Sequence, residues 1–292
     1  MPLFRRSDGD LVRGEASVRR IMPYLMRRRN ESCVYQETVY RVDAARAWLR
    51  AYNLSHQPRA TLFHLVAYAT AVAMAERPRL NRFVAGGRLY QRRGIFLAFV
   101  VKTAFRDEAP GATVKLPYHL GMSFPAWSAQ LSTQVDEARS TVRSVDREVD
   151  LVMGLPGPVV RGLVGLARLL DHWNLYPQFM IENDPMYASV FLANLGSVGV
   201  SDVYHHLYEY GTTSSFGAVS APRPTAFTGR NGVTVEPGVS IRWTFDERID
   251  DALSCAGGLA LIERTVQDPA RWLGEPEGCP IWTGEARNPE AP

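Results

Sequence analysis

The spacing of apolar residues predicts alternating helices and strands along most of the chain. Residues 17–29 (SVRRIMPYLMRRR) set Val18, Ile21, Leu25 and Met26 on one helical face with arginines opposite, and Pro23 predicts a bend within that helix. Residues 33–42 (CVYQETVYRV) read as a strand rich in β-branched and aromatic residues. Asp43 is placed to cap a helix running to about Tyr52. Gln57 to Arg77 reads as a strongly apolar helix stopped at Pro78. Residues 88–103 carry two strands around Gly94; the second, IFLAFVVKT, is apolar without alternation, as expected of a strand covered on both faces. A strand at 113–118 and a polar amphipathic helix at 124–149 follow. In 154–180, two prolines precede VVRGLVGLARLLDHW, a helix with a wide apolar face. Strands near 187–193, 213–220 and 238–246 lie between glycine- and proline-rich turns, and a last helix at 250–266 ends at Asp268-Pro269. Interleaved strands and helices, with no repeat and no dividing linker, predict one α/β domain over 1–292 built on a mixed sheet. Residues up to about 14 and the tail 274–292 read as flexible ends.

Composition narrows the class of function. The chain has 292 residues, 46% of them hydrophobic, enough to bury a core without staples. Thirty-three basic residues stand against 30 acidic ones, a balance that argues against a nucleic-acid binder defined by charge. Only Lys102 and Lys115 are lysines. Cys33, Cys255 and Cys279 are odd in number and share no C-x-x-C spacing, which argues against a disulfide framework or zinc site. The start lacks the apolar core of a signal peptide. The longest apolar stretch, Thr61–Ala75, falls short of the roughly 20 residues of a membrane span. A cytoplasmic protein without a membrane span is the expectation.

Four segments in order carry a resemblance. They are Arg19-Arg20-Ile21 leading to the CVYQETVYRVD strand; Thr61-Leu62 through Pro78-Arg79-Leu80-Asn81; Phe191-Leu192-Ala193-Asn194-Leu195-Gly196; and Phe245-Asp246-Glu247-Arg248-Ile249-Asp250-Asp251-Ala252. Together they resemble the catalytic domain of the dihydrolipoamide acyltransferases, which share the chloramphenicol acetyltransferase fold, over roughly residues 15–273. The resemblance implies a two-layer sandwich, a mixed sheet with helices on one face, acting as a homotrimer with its site between subunits. In that family a histidine in D-H-R-x-x-D-G is the general base on the thiol of coenzyme A or lipoamide. A serine or threonine before N-L-G donates a hydrogen bond to the oxyanion. The aspartate four residues after the histidine is held by an arginine, here Arg19 or Arg20.

This sequence departs from the pattern at its two chemical positions. Glu247 stands at the histidine position and Ala193 at the serine position, and Ala252 replaces the glycine. Asp246, Arg248, Asp251, Asn194 and Gly196 match. Glutamate, with an ordinary pKa of about 4.3, is a poor base for a thiol near 8.5 unless burial lifts it. Losing an oxyanion donor typically costs about 10²–10³ in rate. The favoured expectation is therefore a degenerate acyltransferase core working as a trimeric scaffold or interaction protein, with no cofactor. The alternatives are an acyltransferase using Glu247 as base with Asn194 or backbone donors, or a module that binds coenzyme A or an acyl chain without turnover. No lipoyl or subunit-binding domain is expected.

Other candidates are weaker. None of the six histidines has aspartate four residues on; His205 with Glu209 comes nearest and reads first as a loop histidine, with no metal site expected at His205-His206. Cys255 reads as a small packing residue. Arg27-Arg28-Arg29 and Arg92-Arg93 read as solvated ends and turns before they read as phosphate contacts. Val159, Val160, Leu163, Val164, Leu166, Leu169, Leu170 and Trp173 cover so much of their helix that something must bury it: its own subunit, a trimer neighbour, a protein partner or a lid.

Overall fold

A computed structural model describes residues 5–102, 111–200, 202–230 and 232–278, without the side chains of 141–152. In chain order the elements are β1 (Gly9–Leu11), α1 (Ser17–Leu25), β2 (Cys33–Arg41), α2 (Asp43–Ser55), α3 (Leu62–Glu76), β3 (Arg82–Ala85), β4 (Arg88–Arg92), β5 (Ile95–Lys102) and β6 (Gly111–Tyr118). There follow α4 (Phe124–Met153), α5 (Gly157–His172), α6 (Gln178–Asn183), β7 (Val190–Asn194), β8 (Ser215–Val219), β9 (Arg223–Gly229), β10 (Gly232–Asp246), α7 (Ala252–Gln267) and α8 (Pro269–Leu273). The expected mixed sheet is present: seven strands in the order β2-β10-β8-β7-β5-β6, with β9 paired to the first half of β10. The β5–β7 and β7–β8 pairs are parallel and the rest antiparallel. A small second sheet, β1-β4-β3, stands apart.

Side-chain alternation divides the large sheet into two faces. Leu97 and Phe99 of β5, Leu192 of β7, and Ile241 and Trp243 of β10 point into the main core, where α2, α3, α4 and α7 cover them. On the other face Ala98, Phe191, Phe216 and Ala218 form a smaller cluster beneath Leu207. The β5 run is thus covered on both sides for most of its length, although Val100 is exposed. Helix α3 is buried almost all round, and Thr61 closes a capping box with His64 at its start. His64 Nδ1 lies 2.7 Å from Thr61 Oγ1. Burial pulls the imidazole down to about 4, so it is neutral near pH 7.

Several expectations fail in instructive ways. Asp43 is the first residue of α2 and makes no side-chain cap. The α1 stripe does not face the chain's own core: Val18, Ile21 and Leu25 are exposed, and Pro23 is the buried residue of the helix. No residue of α5 is buried, so the chain's own core does not cover the apolar face at 154–180. Val159, Leu163, Val164, Leu166 and Leu169 are all exposed, while Leu170 packs partly against Tyr176, Ile181 and Tyr187. The start read as a flexible end contains β1 and Arg6, which is buried between Asp8 (2.6 Å) and Asp171 (2.8 Å). Most of the tail lies outside the described residues. Among the described residues no helix is long and apolar enough to cross a membrane.

Candidate functional site

Strand β10 delivers Phe245 and Asp246 to the turn that begins α7. Asp246 is fully buried and organises that turn. Its Oδ1 accepts from Ser32 Oγ (3.0 Å), from the Arg248 amide (3.1 Å) and from Arg248 Nε (2.8 Å). Its Oδ2 accepts from Arg248 Nη2 at 2.6 Å. Arg248 also donates Nη1 to the Met26 carbonyl at 3.0 Å, which ties the turn to the end of α1. The Glu247 amide donates to Ser32 O (2.9 Å), anchoring the turn to the start of β2.

Glu247, half-buried, lines a cavity of about 540 Å³ with Glu15, Arg19, Arg79, Asp250, Asp251 and Cys255. Arg19 Nη1 donates to the backbone carbonyl of Glu247 at 2.9 Å. The arginine expected to hold the Asp251 carboxylate therefore holds the turn through its backbone instead. Asp251 caps α7, accepting from the Ser254 amide at 3.0 Å. Arg20 is exposed. Arg79 bridges Glu15 (3.2 Å) and the buried Asp250 (3.4 Å). Four carboxylates against two guanidiniums give this cavity a negative balance. Burial first, and then the charges of Asp250 and Asp251, push the Cys255 thiol up to about 11.

Ala193 and Asn194 end β7 on the far side of β8. Ala193 sits opposite Ala218, and Ala218 opposite Arg242, so Ala193 is level with a residue five positions before Glu247 and two strands away. With strands ~4.8 Å apart and ~3.3 Å per residue, Ala193 and Glu247 are roughly 20 Å apart in one chain. Gly196 makes the turn after them, where a Cβ would sit 3.0 Å from Ser220 O. One chain brings Glu247, Asp251 and Arg19 together, and leaves Ala193 and Asn194 elsewhere.

The remaining candidates resolve structurally. His205 stacks on the Phe216 ring with centroids 4.1 Å apart, and burial pulls its pKa down. Glu209 accepts from the amides of Arg29 (3.3 Å) and Asn30 (3.1 Å), so it does not orient that histidine as a relocated base would require. Among the described residues no group of three His, Cys, Asp or Glu could hold a metal ion. Cys255 is half-buried rather than enclosed. The structure departs from the sequence reading at Arg29 and Arg92, which are buried rather than solvated. Arg92 reaches Tyr187 O (3.1 Å) and Thr212 O (2.9 Å), and burial pulls it down to about 10. Arginine runs at helix ends look alike in sequence whether buried or not, so no local signal marked these two.

The strand order and the turn geometry can now be set beside known structures. No family model matches the chain, and no curated protein matches it. Solved structures do. The cubic core of the pyruvate dehydrogenase multienzyme complex aligns over 82% of each chain at 13% identity and a TM-score of 0.58. The dihydrolipoamide acetyltransferase of Azotobacter vinelandii aligns over 88% of this chain and 92% of its own, at 13% identity and a TM-score of 0.58. That protein is described through the roles of a serine, a histidine and an asparagine in its catalytic mechanism. A chloramphenicol acetyltransferase covers 88% of this chain and 99% of its own, at 12% identity and a TM-score of 0.52. The chain has the chloramphenicol acetyltransferase fold. At these identities the likeness is one of fold, and the chemistry rests on this chain's own residues.

Proposed function

We propose that this chain is a catalytically silent acyltransferase-fold subunit that acts as a homotrimeric scaffold. The observation that carries the proposal is the lining of the Glu247 cavity, which holds four carboxylates, two guanidiniums and no imidazole. Acyl transfer to a thiol needs the thiolate, or a base able to make it in the transition state. Cys255 lies in this cavity with its thiol pushed up to about 11. A substrate thiol there would meet the same burial and the same Asp250 and Asp251 charges, and the cavity lining supplies no imidazole to relieve them. Ala193, for its part, has no hydroxyl to give an oxyanion.

Assembly is supported from two sides. The likeness to a subunit of a cubic multienzyme core is one. The other is the pair of outward apolar faces on α1 and α5, with Val18 75% and Leu25 67% exposed. Any site that used both Ala193 and Glu247 would have to draw them from two copies, because one chain holds them apart.

The test is an acetyl transfer assay with acetyl-coenzyme A and dihydrolipoamide, run beside light scattering. Wild-type protein is expected to run as a trimer with no transfer above the blank. Turnover abolished by Glu247→Gln would overturn silence in favour of a glutamate-based enzyme, and a monomer would overturn the scaffold. The pair Glu247→His and Ala193→Ser is the gain-of-function arm. Titration with coenzyme A separates the scaffold from a binding module: micromolar binding without turnover favours the module.

A further inference from the structure

The Glu247 cavity carries more negative charge than its own side chains neutralise. Glu15, Glu247, Asp250 and Asp251 line it against Arg19 and Arg79, a surplus of two negative charges. Two of the four carboxylates are engaged. Glu15 pairs with Arg82, which is not part of the lining, at 2.9 Å, as well as with Arg79. Asp251 caps α7 and so faces the positive end of that helix. Counting Arg82, one negative charge is left over.

That charge sits with Asp250 and Glu247. Asp250 is 4% exposed, and its Oδ2 is buried with no hydrogen-bond donor among the described residues. Its Oδ1 has only a long 3.4 Å contact from Arg79, whose side chain is half in solvent. Glu247 is half-buried, and its carboxylate makes no hydrogen bond or ion pair among the described residues. Arg19 does not supply the missing partner, because its Nη1 is given to the Glu247 backbone carbonyl. A buried carboxylate oxygen without a donor is costly, and the cost is relieved by a cation that brings its own N–H groups.

The rest of the lining says what kind of cation. Among the described residues no three His, Cys, Asp or Glu side chains are grouped to hold a metal ion. Phe245, Val18 and Val34 also line the cavity, the last two exposed, and Cys255 adds an uncharged thiol. A volume of about 540 Å³ is that of a small-molecule site. Carboxylates beside an apolar wall suit a charged head on an apolar body, and an ammonium supplies three donors on one positive charge.

We propose that this cavity binds a small organic amine, its single ammonium facing Asp250 and Glu247 and its apolar body lying against Phe245, Val18 and Val34. The inference concerns binding alone. The titration below and the acetyl transfer assay therefore fail separately.

The test is calorimetric titration with hexylamine near pH 7, beside its neutral and anionic counterparts 1-hexanol and hexanoate. Wild-type protein is expected to bind hexylamine at least tenfold more tightly than hexanol, and hexanoate not at all. Asp250→Asn should weaken hexylamine binding by about 10- to 100-fold. Glu247→Gln should weaken it by about 3- to 10-fold, less because Glu247 is half-buried; it keeps the test decisive if Asp250→Asn does not fold. Asp136→Asn, at an exposed position on α4 outside the cavity, is the control and should change nothing. No binding of millimolar hexylamine by wild-type protein would overturn the proposal. So would hexanol binding as tightly as hexylamine, an affinity that the folded cavity variants leave within twofold, or displacement of hexylamine by magnesium, which would assign the charge to a metal ion.

Discussion

Replacing Asp246 by asparagine isolates the electrostatics of the turn that carries Glu247. The Asp246 side chain is 0% exposed and that of Arg248 3%, so neither partner can be rescued by water. Asparagine keeps the shape while removing the charge, and its NH₂ has to face the Arg248 amide or guanidinium, which can only donate. Breaking a buried pair by removing one partner typically costs about 3–5 kcal/mol, because the other charge is stranded. Arg29 and Arg248 repel each other, and Asp246 offsets both, so the cost belongs at the upper end of that range. Against a total stability of about 5–15 kcal/mol, such a loss lowers the urea midpoint severely. Urea unfolding followed by tryptophan fluorescence measures it, with an unchanged m-value as the check that only stability moved. The double variant Asp246→Asn/Arg248→Met should regain part of the loss, because no charge is then stranded. A single-variant cost below about 1 kcal/mol, or no recovery in the double variant, would refute the reasoning.

Three further outcomes are expected. His64 has a folded-state pKa of about 4 against an ordinary 6.5, so the unfolded chain takes up the proton first. Stability should be complete above about pH 6.5 and fall by up to roughly 3 kcal/mol as the pH drops toward 4; His64→Gln should flatten that limb of a pH series of urea midpoints. In a background of Cys33→Ser and Cys279→Ser, Cys255 should alkylate at pH 8 about a hundredfold more slowly than free cysteine, since its thiol lies near 11; a rate like that of free cysteine would remove the support for silence drawn from its pKa. Gly211 has φ +77°, and a Cβ there would run into the Met186 carbonyl, so Gly211→Ala should lower the melting temperature by several degrees.

Fold and site were legible to different depths. The apolar runs of α3 and β5 revealed the layers, because burial of those elements is decided by their own side chains. The D-E-R turn was legible because Asp246 and Arg248 pair locally. The β9–β10 hairpin was not, because Pro224 and Pro237 interrupt the strand pattern; the two prolines face each other in the register and so interrupt the ladder together. The order at residues 6–11 escaped because it depends on Arg6 meeting Asp171, a partner 165 positions away. The α5 stripe was legible as apolar, but periodicity shows that a face is sticky and not what covers it. The gathering of Arg27, Arg28, Arg29, Arg88 and Arg168 around one cavity was invisible for the same reason: they meet only after α1, β4 and α5 are brought together.

Strand β10 is 15 residues long and unbroken from Gly232 to Asp246. At ~3.3 Å per residue it spans roughly 46 Å. Its outer end is a two-stranded ribbon with β9, carrying exposed Val233 and Val235, while its inner end is clamped between β2 and β8 and runs directly into the turn bearing Glu247. Mechanically this is a stiff rod held at one end. A neighbour gripping the ribbon pulls along the strand axis against a row of hydrogen bonds loaded in shear, with the Asp246–Arg248 clamp as the end stop. Tension at the surface would therefore arrive at the Glu247 cavity.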